Sequence, residues 1–395
     1  MSLLDDASLI VTPNGYKGGS PNGTLYSVKP TNGDGDMVVT RNTTSTRVNS
    51  AGLIESVAFN APRIDYTNAS CPSILVEPIR TNNFTNSQNI SLWYTPAENV
   101  TLTSNTTDTL SPDGTNNASK ITIGSGSPKR SYQITNSVAG VGTFSAYVKA
   151  GTSNEITLLT TSGSINILYN LSTLAITATN GTGTITSVGN GWYRITATNT
   201  LITLEVLQVI YTNTAGQTIY IWGFQVEAGS TATSYIPTTT IPITRNDDVI
   251  TKTGITNLIG QSEGTIFWDV KDLVGSVSSG NPEFMIRNTA FTNWIGITTN
   301  TSANPFRITA KPIGVGSIID YSANITSAKA CLKYGTFGAK LFLNGNPTPV
   351  ATSVVNPNFS FDNILFRGSI ISFKTNRFAL WTTALTDAQC ISLTT

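Results

Sequence analysis

The chain contains no histidine in 395 residues. Histidine is the side chain whose unperturbed pKa lies closest to neutrality, so its absence removes the commonest general base, the commonest metal ligand and the Ser–His nucleophile pair. The three cysteines, Cys71, Cys331 and Cys390, are odd in number and widely spaced, which excludes a disulfide framework. Cys331 and Cys390 fall close enough in the chain to share a domain and pair; free buried thiols in a reducing cytoplasm are the other reading. Charged residues make up only 11%, and 23 basic side chains against 22 acidic ones leave a formal charge of +1. That balance provides no electrostatic footprint for nucleic acid or an anionic membrane. No apolar run reaches the ~18 residues of a membrane-spanning helix. The segment Met1–Asp6 has neither the basic nor the apolar region of a signal peptide. These gaps describe a chain that binds, spaces or attaches, not an enzyme.

The remaining polarity is mostly Thr, Ser and Asn. Runs rich in Thr, Ile and Val, punctuated by Asn and Gly, predict an all-β chain, and its length suggests two or three domains. Residues 1–80 read as short extended pieces between turns such as Asn14-Gly15 and Asn22-Gly23, with a hairpin across Arg47–Val57. They are too irregular to bury a core alone and are expected to pack on the next domain or pair with other copies. Residues 81–240 carry cleaner period-two patterns. Phe144, Ala146 and Val148 share one face, and Tyr220, Trp222, Phe224 and Val226 another. Strands at intervals of about 8–12 residues predict a sandwich or jelly roll. The Thr/Pro stretch Pro237–Pro242 reads as a linker, and residues 245–395 as a further sandwich in which Ile266, Trp268 and Val270 face one way. The one helix signal is Thr386 as N-cap, with Asp387 in the first turn and Ala388–Leu393 following.

Three sets of motifs resemble parts of known proteins. Leu53-Ile-Glu55, Pro62-Arg-Ile-Asp-Tyr66 and Leu75-Val-Glu-Pro-Ile-Arg-Thr-Asn82 resemble the start of bacteriophage fibre and spike proteins. Pro112-Asp-Gly-Thr115, Ala118–Ile121, Tyr147–Gly151, Gly191-Trp-Tyr-Arg-Ile195, Trp222–Gly229 and Ser234-Tyr-Ile-Pro-Thr238 resemble the carbohydrate-binding-type jelly rolls of the same proteins. Phe342-Leu-Asn-Gly345 and Phe378–Asp387 resemble a concanavalin A/laminin-G-type sandwich. The resemblance covers most of the chain. It implies a virion surface protein, a head or tail fibre or spike, usually trimeric, in which an N-terminal attachment region (1–80) binds capsid or tail proteins and leads into a jelly roll (81–240) and a concanavalin-like sandwich (245–395). It implies host adhesion through surface polysaccharide, with no nucleic acid and no membrane insertion. A purely structural virion decoration or connector is the alternative, and a glycan depolymerase the third reading.

Candidate sites are few. No lysine has a serine three positions before it, so a Ser–Lys pair lacks its signature. Paired carboxylates can cleave glycans; Asp247-Asp248 and Asp269 with Asp272 are the obvious pairs, although adjacent strand residues face opposite ways. Asn32-Gly-Asp-Gly-Asp36 begins like a calcium loop, but an EF-hand needs Glu at its twelfth position and residue 43 is Thr. The metal is therefore left open, with one structural calcium between jelly-roll loops as the cofactor the resemblance allows. Sugars stack their apolar C–H faces on exposed rings. Trp222, Trp268 and Trp381 sit in apolar patterns and are expected in cores, and Trp192, which follows a turn in a motif of the resemblance, is expected there too. Trp93-Tyr94 and Phe291 with Trp294 lie in polar, loop-like surroundings and are the candidate carbohydrate platforms.

Overall fold

Alternating apolar side chains sort the strands into two separate cores. The computed structural model describes residues 3–13, 15–18, 25–26, 37–67, 69–135, 138–211, 214–275, 283–298, 306–314 and 316–395. These form an all-β molecule in which one sandwich is inserted into another.

The inserted jelly roll has two six-stranded sheets. The first runs Thr95–Glu98, Arg130–Ile134, Val206–Ile210, Glu155–Thr160, Asn166–Asn170, Ala175–Asn180. The second runs Val100–Thr103, Ser119–Ile123, Thr218–Ala228, Gly140–Ala150, Trp192–Leu201, Thr182–Gly189. Phe144, Ala146 and Val148 all face the core between them, as their spacing predicts. The other predicted face is split. Ile219 and Ile221 point into the core, whereas Trp222 and Tyr220 pack outside it on Tyr147 and Tyr235; Phe224 and Val226 then return inward. A bulge causes the change of phase: opposite Gly140–Ala150 the register jumps from Ser145↔Gln225 to Tyr147↔Trp222. Gly223 sits in it at φ +64°, where a Cβ would come within 2.9 Å of the Tyr147 ring.

The enclosing sandwich packs a ten-stranded sheet on a seven-stranded one. Ile266, Trp268 and Val270 of Gly264–Gly275 lie in its core, as expected. Residues 1–80 do not form a unit of their own. Leu9–Thr12 and Ser73–Val76 both pair with Ile371–Trp381, and Val38–Thr40 pairs with Val249–Thr253. Short strands with buried Leu9, Val11, Ile74 and Val76 have no core to themselves, and the edges of this sandwich supply one. The helix Asp387–Thr394 lies over the outer side of the ten-stranded sheet. Thr386 Oγ1 accepts from Gln389 N at 3.2 Å, and Gln389 Oε1 accepts from Thr386 N at 2.9 Å, which closes a capping box. Cys390 of this helix and Cys331 of the sheet beneath it are buried and free. Burial and the neighbouring Cys390 thiol push the Cys331 thiol well above the usual range.

The chain leaves the enclosing sandwich along Arg80–Asn82 and returns along Ile243–Arg245, and these two strands pair with each other. Buried charge flanks the crossing. Arg63 donates to Glu77 Oε2 (2.5 Å), to Ser234 Oγ (2.8 Å) and to Asp248. Arg41 Nη1 donates to Asp248 Oδ1 at 2.7 Å, and Arg245 Nη1 lies 2.8 Å from Glu77 Oε2. Burial alone would raise the Glu77 pKa; Arg245 and Arg63, with the Ser234 hydrogen bond, outweigh it and hold the carboxyl well below the carboxylate range.

Asp248→Ala strands two buried guanidiniums and is expected to cost about 3–5 kcal/mol in urea unfolding. Glu55→Ala, in the half-exposed pair with Arg47, is expected to cost less than about 1 kcal/mol. Glu77 is depressed in the folded state, so its contribution is complete above its unfolded pKa of about 4.3 and is lost as pH falls below that value. Pepsin cleavage at the two crossings should therefore quicken with acid from about pH 4 downward, and an unchanged cleavage rate would remove Glu77 from this role.

Candidate functional site

The second jelly-roll sheet turns its outer face toward the enclosing sandwich, and a cleft of about 530 Å³ lies between them. Its floor follows from strand register. Thr143, Thr198 and Thr182 form one row across three strands, Ser145, Thr196 and Thr184 the next, and Tyr147, Arg194 and Thr186 the third. Alternation places all nine on one face, at about 4.8 Å between strands and about 6.8 Å along them. The hydroxyls cross-link neighbouring strands within the first two rows: Thr143 Oγ1 to Thr198 Oγ1 at 2.8 Å, Thr184 Oγ1 to Thr196 Oγ1 at 2.7 Å. Thr143 and Ser145 are buried, Thr196 and Thr198 half-buried, and Thr182, Thr184 and Thr186 exposed, so the floor rises from a sealed end to an open one. Arg194 Nη2 donates to Ser145 Oγ at 2.9 Å, and its guanidinium lies 5.4 Å from the Tyr147 ring centre.

The opposite wall carries Lys374, whose Nζ is 3.2 Å from both Asp65 and Asp272. Burial would lower its pKa, but the two carboxylates raise it above the usual lysine value. Asp65 also accepts from the backbone N–H groups of Val48 and Thr67, each at 3.0 Å. The wall is a satisfied charge cluster, and the floor is a field of hydroxyls with dual donor and acceptor capacity. That arrangement suits a ligand rich in hydroxyl groups and fits the size of ligand pockets in general, about 300–1,000 Å³.

The structure rearranges the candidates. Trp93 is 4% exposed, with its ring edge-on to Phe84 (5.1 Å) and Phe224 (4.7 Å) in the jelly-roll core. The single turn Ile90–Leu92 is the cause: positions three apart in a 3₁₀ turn lie on one side, so Ile90 and Trp93 go inward together. Trp93 therefore offers no face to a sugar. Its neighbour Tyr94 is 68% exposed and lies 5.7 Å from the Tyr132 ring, beside the sheet that faces away from the cleft. Trp294 is 9% exposed. It stacks on Phe291 at 4.8 Å, and Lys311 Nζ lies 4.5 Å from its ring centre, so the indole is covered on the outer side of the seven-stranded sheet. Phe291 is half-buried at φ +55°, with the Arg287 guanidinium 5.2 Å from its ring. Trp192, Trp222, Trp268 and Trp381 are buried, as expected.

The carboxylate pairs are not brought together as dyads. Asp248 is ion-paired to Arg41 and Arg63 while Asp247 lies half-buried outside that cluster. Asp272 belongs to Lys374, and Asp269 accepts from Asn376 Nδ2 at 3.0 Å. The Asn32–Asp36 segment lies outside the described residues. Among the described residues no three His, Cys, Asp or Glu side chains cluster as metal ligands, and no helix is long and apolar enough to cross a membrane. The Pro112–Thr115 motif is a turn in which Asp113 Oδ1 accepts from Ser111 Oγ (2.6 Å), Thr115 N (3.0 Å) and Thr115 Oγ1 (2.8 Å), and the Pro112 carbonyl accepts from Ile54 N at 2.8 Å. The hydroxyl floor does not stand out in the sequence, although Thr182-Gly-Thr-Ile-Thr186 and Thr196-Ala-Thr198 carry its period-two signal.

No family model matches the chain, and no curated protein does. Solved structures similar to part of it include botulinum neurotoxin type C, described by its interaction with two ganglioside molecules, at 17% identity over 38% of this chain and 39% of that one, with a TM-score of 0.29. The binding domain of botulinum neurotoxin DC in complex with rat synaptotagmin II is similar at 17% identity over 38% of this chain and 40% of that one, with a TM-score of 0.29. Trypanosoma rangeli sialidase in complex with sialic acid is similar at 9% identity over 70% and 59% of the two chains, with a TM-score of 0.27. This chain thus spans about two fifths of the length of the neurotoxin chains.

The burial difference between adjacent aromatics is directly measurable. Trp93→Ala is expected to lower stability by about 3–5 kcal/mol, and Tyr94→Ala to stay within about 0.5 kcal/mol of the parent, both read by chemical denaturation.

Proposed function

We propose that this chain is an adhesin of the bacteriophage virion surface, a fibre or spike component that binds host surface polysaccharide in the cleft between its two sandwiches. The observation that carries the proposal is the floor on which Thr143, Thr182, Thr184, Thr186, Thr196 and Thr198, with Arg194 and Tyr147, line a cleft of about 530 Å³, and Ser145 lies buried beneath Arg194. A polyhydroxylated ligand exchanges hydrogen bonds with the exposed and half-buried hydroxyls of such a floor. The motif resemblance of the segments 53–82, 112–238 and 342–387 supplies the virion setting and the trimer. Binding requires no nucleophile, acid or metal. Single hydroxyl contacts are weak, about 0.5–1.5 kcal/mol each, so the affinity of a particle comes from several copies engaged at once.

The test is a glycan array and a host-adsorption competition with purified protein, repeated with Thr184→Val and Thr196→Val together. Valine keeps the strand shape and removes both hydroxyls, so binding of the recognised glycan should fall roughly tenfold with unchanged melting temperature. Absence of glycan binding and of competition would refute adhesion and leave a connector that binds other virion proteins. Release of reducing sugar from host capsule would instead make the chain a depolymerase.

A further inference from the structure

The charged groups described around the cleft are matched, with one exception. Arg47 pairs with Glu55 at 2.6 Å, Lys374 with Asp65 and Asp272, and Glu77 with Arg63 and Arg245. Buried Glu227, beside Thr143 on the adjacent strand, accepts from Thr233 N at 2.9 Å and from Gln225 Nε2 at 2.6 Å. Arg194 is different. Among the described residues no carboxylate lies within ion-pair distance of it, its one hydrogen bond is to Ser145 Oγ, and its Nε is buried without a partner. The guanidinium is held in place all the same, by that bond and by the Tyr147 ring at 5.4 Å. It sits half-buried in the middle strand of the floor, between Tyr147 and Thr186.

We infer that Arg194 is a specificity-determining residue which holds the acidic group of an anionic polysaccharide, so that the cleft selects glycans bearing a carboxylate, sulfate or phosphate over neutral ones. This rests on the cleft being the glycan site. A fixed planar guanidinium with open Nη donors matches an oxyanion in two-point geometry, whereas a neutral sugar leaves its charge uncompensated in a partly desolvated place. The carboxylates described around the cleft already serve other donors, so none of them competes for the fork. The surrounding hydroxyls then bind the rest of the sugar unit.

The experiment compares four polymers on the full chain: polygalacturonate for carboxylate, dextran sulfate for sulfate, polyglycerol-phosphate teichoic acid for phosphate, and dextran as the neutral control. The intact protein is expected to bind one acidic polymer at least roughly tenfold more tightly than dextran, and the preference is expected to weaken with added salt. Arg194→Gln should bring that polymer down to the dextran level, and Arg194→Lys should restore only part of the preference. Thr186→Glu is the second arm. Residue 186 is exposed and directly opposite Arg194 across the strand pair, so a carboxylate there caps the guanidinium from within, keeps the fold and displaces the acidic ligand. Equal binding of acidic and neutral polymers, or an acidic preference that survives both Arg194→Gln and Thr186→Glu, overturns the inference and leaves the cleft as a neutral-glycan site. Binding of none of the four overturns the inference and the cleft reading together.

Discussion

Two stretches of chain cross between the sandwiches, and both run through the same buried cluster of charge. Arg41, Arg63 and Arg245 converge with Glu77 and Asp248 where water is excluded, and Ser234 bridges Arg63 and Arg245 to Glu77. The cleft has one wall on each sandwich, so its width depends on how these two crossings hold the walls. A hydrophobic hinge could bring the same bodies together with many small offsets. A set of guanidinium forks admits few, because each lost partner leaves a charge stranded at low dielectric. The cluster is thus better understood as a device for relative position than as a source of net stability, since desolvating so many charged groups cancels much of their mutual attraction.

The insertion explains why the cluster must lie there. Strands from residues 9–76 and from 249–381 complete one sandwich, so the jelly roll enters and leaves through neighbouring strands whose ends are already fixed in that sandwich. Arg63, Glu77 and Ser234 come from three separate sequence motifs, Pro62–Tyr66, Leu75–Asn82 and Ser234–Thr238. Their shared position gives those motifs a physical meaning: they are the pieces of chain that meet at the crossing. Asn82 works in the same place by backbone chemistry, its amide nitrogen donating to the carbonyls of Phe224 and Ile236 while its oxygen accepts from Val226 N and Phe84 N. The exit strand is in this way tied to the jelly-roll strand Thr218–Ala228 and to Ile236.

Local pattern is legible in the amino-acid sequence, and distant pairing is not. Period two places Phe144, Ala146 and Val148 on the core side, and Ile266, Trp268 and Val270 likewise, because alternation is a property of one strand. Thr386 with Asp387 is readable as a helix start for the same reason. The bulge at Gly223 breaks an otherwise sound inference for Trp222, since a one-residue offset inverts every side chain that follows. Trp93 and Tyr94 have the same polar neighbours in sequence, and a single 3₁₀ turn decides which is inside. The pairing of Leu9–Thr12 with Ile371–Trp381 has no local signal at all, so residues 1–80 read as a separate region. The hydroxyl floor is hidden for another reason. Threonine alternates in many strands of this chain, and only the placement of the second sandwich picks out one such face as a cleft.

A chain with so little charge still places much of it inside. Arg41, Arg63, Arg245, Glu77, Asp248, Asp65, Lys374, Glu227 and Glu283 are all buried or nearly so, whereas charged side chains ordinarily stay in water. Much of the remaining exposed polarity is Thr, Ser and Asn, which are soluble without carrying a field. An uncharged hydroxyl surface neither attracts nor repels at distance, so its contacts form only at short range and are little altered by salt. Such contacts are individually weak and reversible, and they acquire strength only in number. In the proposed role of contact through many neutral groups, a histidine would make that contact vary with pH near neutrality, and the chain has none. Arg194 breaks this neutrality on the three-by-three floor, and it does so with the cation whose charge does not titrate.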